Sequence, residues 1–125
     1  MTTGTGSHAL AQQVGGKGYF ARVSVTVEEA DLPDCEVDFA GDNSSIWAAG
    51  AIFGAIYAWE IYLRSKPAMR GLRVKIVELE GMPADTSNLV VAYVSAFAVW
   101  SALGWKPTKL PTFDPKTGFF CFSKS

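Results

Sequence analysis

Residues 44–64 read SSIWAAGAIFGAIYAWEIYLR, and this stretch decides the fold of the chain. Its only charged residues are Glu60 and Arg64. This stretch is too long for a strand, so it predicts a helix. Four polar side chains at 42–45 can cap the start of the helix, and Pro67 lies just beyond its end. Both faces of this helix are apolar, and a helix that is apolar all round has to be covered on more than one side.

The composition is that of one globular domain. The chain has 125 residues, of which 49% are hydrophobic and 18% are charged, and this length suffices for a single core. Residues 1–63 hold two bases and eight acids, a net charge of −6, whereas residues 64–125 hold nine bases and four acids, a net of +5. The overall charge of −1 argues against bulk attraction to nucleic acid, and the two halves are expected to neutralise each other within one sheet or to form docking surfaces.

The cysteines and the start of the chain predict a reducing, cytoplasmic setting. MTTGTGSH lacks the basic start and apolar segment of a secretory signal, and the single pair Cys35 and Cys121 makes neither a disulfide scaffold nor a zinc knuckle. The apolar runs at 46–59 and 89–105 fall short of the roughly 20 residues that a bilayer requires, so we expect no membrane insertion.

Alternating apolar residues predict the strands. We expect strands at 19–29 and 35–40, joined by a short turn as an antiparallel hairpin, and a third strand at 72–79 with a bulge near Val77. A short strand at 119–122 is expected on a sheet edge.

The other segments complete an α+β fold. Residues 1–14 are small and polar and predict a mobile N-terminus ahead of a domain at 15–105, which a tail at 106–125 follows. A second helix is expected to be capped at 85–87, to run to about Leu103 and to stop at Gly104. The order β-β-α-β-α predicts a two-layer α/β sandwich with both helices on one face of the sheet.

Two short motifs carry more specific information. GGKGYF stands at residues 15–20, and EG at 80–81 is followed by DTSN at 85–88 and AY at 92–93. Together they resemble the G-G-x-G-Q-Y/F, D-G, D-S and A-F motifs of domain IV of elongation factor G and its relatives, including the ribosomal protection proteins. Tyr19 replaces the family's glutamine, and the likeness spans roughly residues 15–103.

This resemblance implies a ribosomal protein S5 domain 2-like fold with a left-handed β-α-β crossover through the first helix. The sequence has no phosphate loop and no room for a GTPase domain, so we expect a non-enzymatic binding domain without GTP or any other cofactor. Its expected partner is ribosomal RNA, a translation component or another protein chain. Ala84 stands where the family has a histidine, in the loop that reaches toward the decoding centre. The alternative is a homodimeric protein-interaction module that reuses the fold without a role in translation. An enzyme that uses the acidic hairpin is the third interpretation.

No residue pattern predicts catalysis. His8 lies in the expected mobile segment, and Cys35 and Cys121 are expected to be packing residues rather than nucleophiles. The acidic cluster matches no calcium loop, and we expect a solvated face rather than a metal site there. Its members are Glu28, Glu29, Asp31, Asp34, Glu36, Asp38 and Asp42.

Two surfaces are candidates for binding. A basic stretch could contact RNA phosphates, although its charges are also those of a solvated face. It consists of Arg64, Lys66, Arg70, Arg73 and Lys75. The apolar outer stripe of the helix layer is expected to be covered by a second copy of the chain, or else by the C-terminal tail. Its candidates are Phe53, Tyr57, Tyr93, Phe97 and Trp100.

Overall fold

A computed structural model describes residues 3–14, 16–40, 46–65, 71–114 and 116–122. Within these residues the chain forms six strands and two helices. In chain order they are β1 (Thr3–Val14), β2 (Lys17–Ala30), β3 (Cys35–Phe39), α1 (Ala48–Ser65), β4 (Gly71–Glu80), α2 (Asn88–Leu103), β5 (Thr112–Asp114) and β6 (Phe119–Cys121). The expected α+β sandwich is confirmed, since both helices pack on one face of a four-stranded sheet.

The order of strands in this sheet is β1-β2-β4-β3, and one expected pairing is wrong. β3 does not form a hairpin with β2 but pairs in parallel with β4, which is antiparallel to β2 on its other side. The side chains of Leu72, Val74 and Ile76 explain the central place of β4, because each is at most 2% exposed. The five-residue β3, with its exposed Glu36 and Asp38, suits an edge.

The crossover from β3 through α1 to β4 is left-handed, as expected. The Leu72 N–H donates to the Asp34 carbonyl and therefore points toward β3, while the Leu72 side chain is buried under the helices. In a strand of L-residues that runs upward with this side chain facing the viewer, the N–H points to the right. In this view β3 lies to the right of β4. The chain leaves β3, passes in front of the sheet as α1, and enters β4 on the left. About 98% of such connections have the opposite hand.

The N-terminal segment is a strand rather than a mobile start. β1 pairs with β2 along its whole length, from Thr3 opposite Glu28 to Val14 opposite Lys17. Gly4 and Gly6 face α2, and a Cβ at either position would collide with the backbone of Ala102. The two glycines therefore let α2 lie directly on the strand.

The two helices approach each other closely. A Cβ at Gly54 would collide with the Ala92 backbone, so the small residues of α1 serve contact with α2 in the same chain. Two α2 side chains donate to carbonyl groups of α1: Ser95 Oγ to Ala51 at 2.9 Å and Trp100 Nε1 to Ala58 at 3.1 Å. Both bonds are buried, and such pairing is what makes these polar groups tolerable inside the core.

Several local predictions are confirmed. Ser87 caps α2 and accepts a hydrogen bond from the Val90 N–H, and Gly104 ends the helix with a φ of 66°. The strand pairing skips Val77, which is the expected bulge. The expected capping residues of α1 at 42–45 lie outside the described residues.

The C-terminal tail forms a second, two-stranded sheet. β5 and β6 pair with each other as an antiparallel hairpin, so the expected last strand exists but does not extend the main sheet. Phe122 contacts the rings of Phe53 and Tyr57 on α1, and Phe120 contacts Tyr93 on α2. The tail thus covers part of the apolar helix layer.

Candidate functional site

The two motifs that carry the resemblance meet at one end of the sheet. We call this end the tip, and it consists of residues 16–20 in the β1–β2 turn and residues 81–87 in the β4–α2 loop. The Phe20 N–H donates to the Asp85 carbonyl at 3.0 Å. A Cβ at Gly18 would collide with the Asp85 carboxylate, so this glycine permits the close approach of the two segments.

Thr86 joins the two segments through its hydroxyl group. Its Oγ1 donates to the Phe20 carbonyl at 2.6 Å and accepts from the Met82 N–H at 2.7 Å. Asp85 and Thr86 both donate their backbone N–H to the Met82 carbonyl, at 2.8 and 2.9 Å, which closes the loop on itself. The tip is therefore a hydrogen-bonded unit of two loops.

Tyr19, the departure from the family motif, anchors the tail hairpin. Its ring lies 5.0 Å from that of Phe113 and 6.3 Å from that of Phe120, and a Cβ at Gly118 would collide with its hydroxyl. Lys17 Nζ lies 5.6 Å from the centre of the same ring. An aromatic ring at this position thus serves a tail that packs against the tip.

Exposed apolar side chains gather around the tip. Ile46 is 75% exposed, Phe53 56%, Met82 52% and Leu89 48%. A groove of about 310 Å³ between the starts of the two helices is lined by Phe53, Leu89 and their small neighbours. Phe53 and Leu89 thus form an exposed apolar groove beside the tip.

The opposite end of the sheet, which we call the base, holds the basic candidates Arg64 and Arg73. β4 begins there beside the end of β2, and Arg64 lies at the end of α1. Arg73 donates to Glu28 at 3.1 Å and lies 3.5 Å from a carboxylate oxygen of Glu36. Part of the acidic cluster therefore neutralises Arg73, which is the expected compensation of the two charged halves.

Among the described basic candidates, Lys75 lies away from the tip. Lys75 is exposed on the open face of the sheet, between Thr26 of β2 and Asp38 of β3. It lines a groove of about 510 Å³ together with Thr26, Asp38 and Arg73. Lys66 and Arg70 lie outside the described residues.

The candidate interface stripe is only partly on the surface. Trp100 is 1% exposed, so its prediction as an outward residue is wrong, because its indole donates to α1 and fills the space between the helices. Tyr57, Tyr93 and Phe97 are half-buried, and the first two contact the tail. Phe53 alone of the five is largely exposed.

The sole histidine of the chain and Cys35 are both partly buried. His8 stacks on Phe97 with ring centres 4.7 Å apart, and its burial lowers the pKa of the imidazole. Burial and the neighbouring acids Asp34 and Glu36 raise the pKa of the Cys35 thiol to about 12. In the part of the chain that the structure describes, no three histidine, cysteine or acidic side chains are placed to hold a metal ion.

Sequence reasoning missed the contribution of Thr86 and Tyr19 to the tip. In the sequence, Thr86 is one of several residues that could cap α2. Only the fold brings its hydroxyl to the Phe20 carbonyl. The tyrosine in place of the family's glutamine was a signal, since an aromatic ring at a turn needs a partner to cover it. Among the described helices, none has the length and apolar character needed to cross a membrane.

Comparison with known proteins supports the fold. No family model matches the chain, and no curated protein is similar to it in sequence. A protein from Thermus thermophilus has a similar structure, with a TM-score of 0.67 and 17% identity over 83% of this chain. Mevalonate kinase from methicillin-resistant Staphylococcus aureus is similar with a TM-score of 0.45 and 15% identity over 86% of this chain. The chain covers 16% of the Thermus protein and 41% of the kinase; the first likeness shows a shared fold, and the second is too weak to argue from.

Proposed function

We propose that this chain is a non-enzymatic binding domain of the elongation factor G domain IV type, which presents its tip to the ribosome in the cytoplasm. The observation that carries the proposal is the hydrogen bonding of the two motif segments to each other through Phe20, Asp85 and Thr86. The antiparallel pairing of β2 with β4 brings the two segments to the same end of the sheet, and these hydrogen bonds fix them to each other there.

The tip is suited to recognition by shape. It is preorganised by the hydrogen bonds of Thr86 and by the aromatic packing of Tyr19, so little conformational freedom remains to be lost on binding. Its exposed residues include Lys17, Pro83 and Ala84. With one lysine in this set, we expect one phosphate contact and hence a shallow dependence of affinity on salt.

The basic stretch offers a second, weaker contact with ribosomal RNA. Arg73 must leave Glu28 and Glu36 before it can bind a phosphate, whereas no ion pair involves Lys75 within the described residues. If residues at the base of the sheet contact phosphates, each contact should add about 0.7–0.9 to the slope of log affinity against log salt.

Co-sedimentation with purified ribosomes tests the proposal. We expect the wild-type chain to pellet with ribosomes and the Lys17→Glu variant to bind about tenfold more weakly, a change of about 1.4 kcal/mol in binding free energy. Lys109→Glu is the matched control, because it makes the same change of charge at an exposed residue of the tail.

Two results would contradict the tip as the contact. One is a wild-type chain that stays in the supernatant at low salt. The other is equal binding of both charge variants, together with a flatter salt dependence after Arg73→Gln and Lys75→Gln, which would move the contact to the base.

The alternative function, a homodimeric protein-interaction module, is favoured by the exposed side chains of Phe53 and Leu89, which line one apolar groove. A second copy that covered this part of the helix layer would bury side chains that the tail leaves in water. Phe53→Glu should then halve the mass measured by light scattering without affecting ribosome binding, and an unchanged mass would exclude this face.

A further inference from the structure

β1 is a long edge strand whose outer backbone groups are unpaired within the described residues. It runs parallel to β4, whose helix-side residue Leu72 points its N–H away from β2 and toward β3. Because parallel strands have the same geometry, helix-side residues of β1 such as His8 point their N–H and C=O in the same direction, which here is toward β2. The alternate residues Thr5, Ser7, Ala9 and Ala11 therefore direct theirs to the free edge.

This edge lacks the usual protection against another strand. The twelve residues of β1, TGTGSHALAQQV, contain no lysine, no acid and no proline. The side chains of Thr5, Ser7, Ala9 and Ala11 are exposed and small, so they do not obstruct a neighbouring backbone. β3, at the other edge, has five residues and carries Glu36 and Asp38. Natural sheets normally block a long edge with charges or proline.

We propose that β1 pairs with β1 of a second copy of this chain, in antiparallel orientation, to form a continuous eight-stranded sheet. An edge that pairs with itself about a two-fold axis is self-complementary, because each N–H meets a C=O of the other copy. The absence of charge from Thr3 to Val14 means that no register brings like charges of the two strands together. This interface is independent of the proposed ribosome contact.

The helix layer is compatible with this continuation. α2 lies over β1 and β2, while α1 contacts β3 and β4, so each helix covers two strands. With strands about 4.8 Å apart, α2 and its copy would lie about 10 Å apart across the two-fold axis. Packed helices have axes about 8–10 Å apart. A groove of about 380 Å³ beside α2, lined by Ser7, His8, Phe97, Ser101 and Trp105, is the space into which the second copy would pack.

Light scattering after gel filtration tests the pairing. The register that pairs nearly the whole of β1 sets Ala9 opposite Ala9 of the second copy. We therefore expect the wild-type chain to have twice the chain mass of 13.4 kDa and Ala9→Lys to have that mass once, because two ammonium groups would meet at the two-fold axis. Ser24→Lys is the matched control, since it adds the same charge on the open face of β2, beside Glu78 and away from the edge. This control should keep the doubled mass.

A second variant, Ala9→Pro, tests the pairing independently in case Ala9→Lys does not fold. Ala9→Pro removes one outward N–H and no bond to β2, so it should also give the single mass while circular dichroism remains that of the wild type. In the wild-type dimer, the amides of Ser7, Ala9 and Ala11 should exchange slowly and become fast-exchanging on dilution to the monomer.

Two outcomes would overturn the proposal. The first is a wild-type chain with the single mass at several hundred micromolar, which would leave the edge to a strand of another protein or to solvent. The second is a dimer that survives Ala9→Lys and Ala9→Pro but is dissociated by Phe53→Glu, which would place the interface on the helix layer.

Discussion

The tip and the base are the two ends of one sheet, yet they are stabilised by different interactions. At the tip, Thr86 and the backbone of Phe20 and Asp85 form hydrogen bonds, and Tyr19 packs against the tail. At the base, Arg73 forms ion pairs whose members are about half exposed, and the ring of Tyr62 contacts that of Trp105 where the two helices end.

The difference indicates how each end should respond to substitution and which end has a fixed shape for a partner to recognise. Exposed ion pairs contribute little to folding, and their charges are also satisfied by one another. Partly buried hydrogen bonds such as that of Thr86 with Phe20, and aromatic contacts, contribute more and fix a shape. We therefore expect stability and recognition to coincide at the tip, and the exposed charged residues of the base to tolerate substitution.

The largest effect on stability is expected from Tyr19→Ala. It removes the ring that Phe113 and Phe120 contact, and because Tyr19 is half-buried we expect a loss of about 2–3 kcal/mol in the free energy of unfolding, somewhat less than for a core aromatic residue. Urea denaturation measures the loss, and Tyr19→Phe, which keeps the ring, should remain within about 0.5 kcal/mol of the wild type. Equal stability of Tyr19→Ala and the wild type would show that the hairpin does not anchor at the tip.

A smaller loss is expected from Thr86→Val. The two side chains have similar shape, but the substitution leaves the Met82 N–H and the Phe20 carbonyl without their hydroxyl partner. We expect unfolding to cost about 1–2 kcal/mol less. Thr108→Val, at an exposed position in the tail, is the control. If both variants unfold at the same urea concentration, the hydroxyl does not hold the tip together.

Arg73→Gln should have a still smaller effect at the base. The half-exposed ion pairs with Glu28 and Glu36 should contribute at most about 1 kcal/mol, and this contribution should fade as salt screens the charges. Unfolding at about 0.05 and 1 M salt, with Lys75→Gln as the comparison, measures it. A loss above about 2 kcal/mol that persists at high salt would make the base as important for stability as the tip.

The reactivity of the two cysteines toward a thiol reagent compares the same two ends of the sheet. Cys35 lies at the base opposite Leu72, and its raised pKa of about 12 leaves about one thiolate in ten thousand at pH 8. Cys121 is exposed in the hairpin near the tip. A thiol reagent should therefore modify one cysteine rapidly and the other very slowly, and Cys121→Ser should abolish the rapid phase. Rapid modification of Cys121→Ser would mean that Cys35 is accessible.

Local signals in the sequence were sufficient for part of the fold. Ser87 and Gly104 defined α2 because a helix end needs a hydrogen-bond acceptor at its start and a residue that tolerates positive φ at its end. The bulge at Val77 followed from the broken alternation of β4. Each of these features is determined by neighbouring residues, so sequence could predict it.

Features that depend on distant contacts were not predictable in this way. Gly4 and Gly6 read as a mobile segment, because glycine is a poor strand residue in isolation, yet their alternation with Thr3 and Thr5 suits a strand that α2 touches directly. The position of β4 between β2 and β3 is likewise a property of the whole sheet. At the tip, the sequence located both motifs but not the contacts between them.

Nuclear magnetic resonance during a titration with purified ribosomal RNA tests the central claim most directly. The chain of 13.4 kDa is small enough for every amide signal to be followed. The tip as a binding surface predicts that signals of residues 16–20 and 81–87 shift with added RNA while those of Arg73 and Lys75 change little. Shifts confined to the base, or no shifts at any residue, would contradict it.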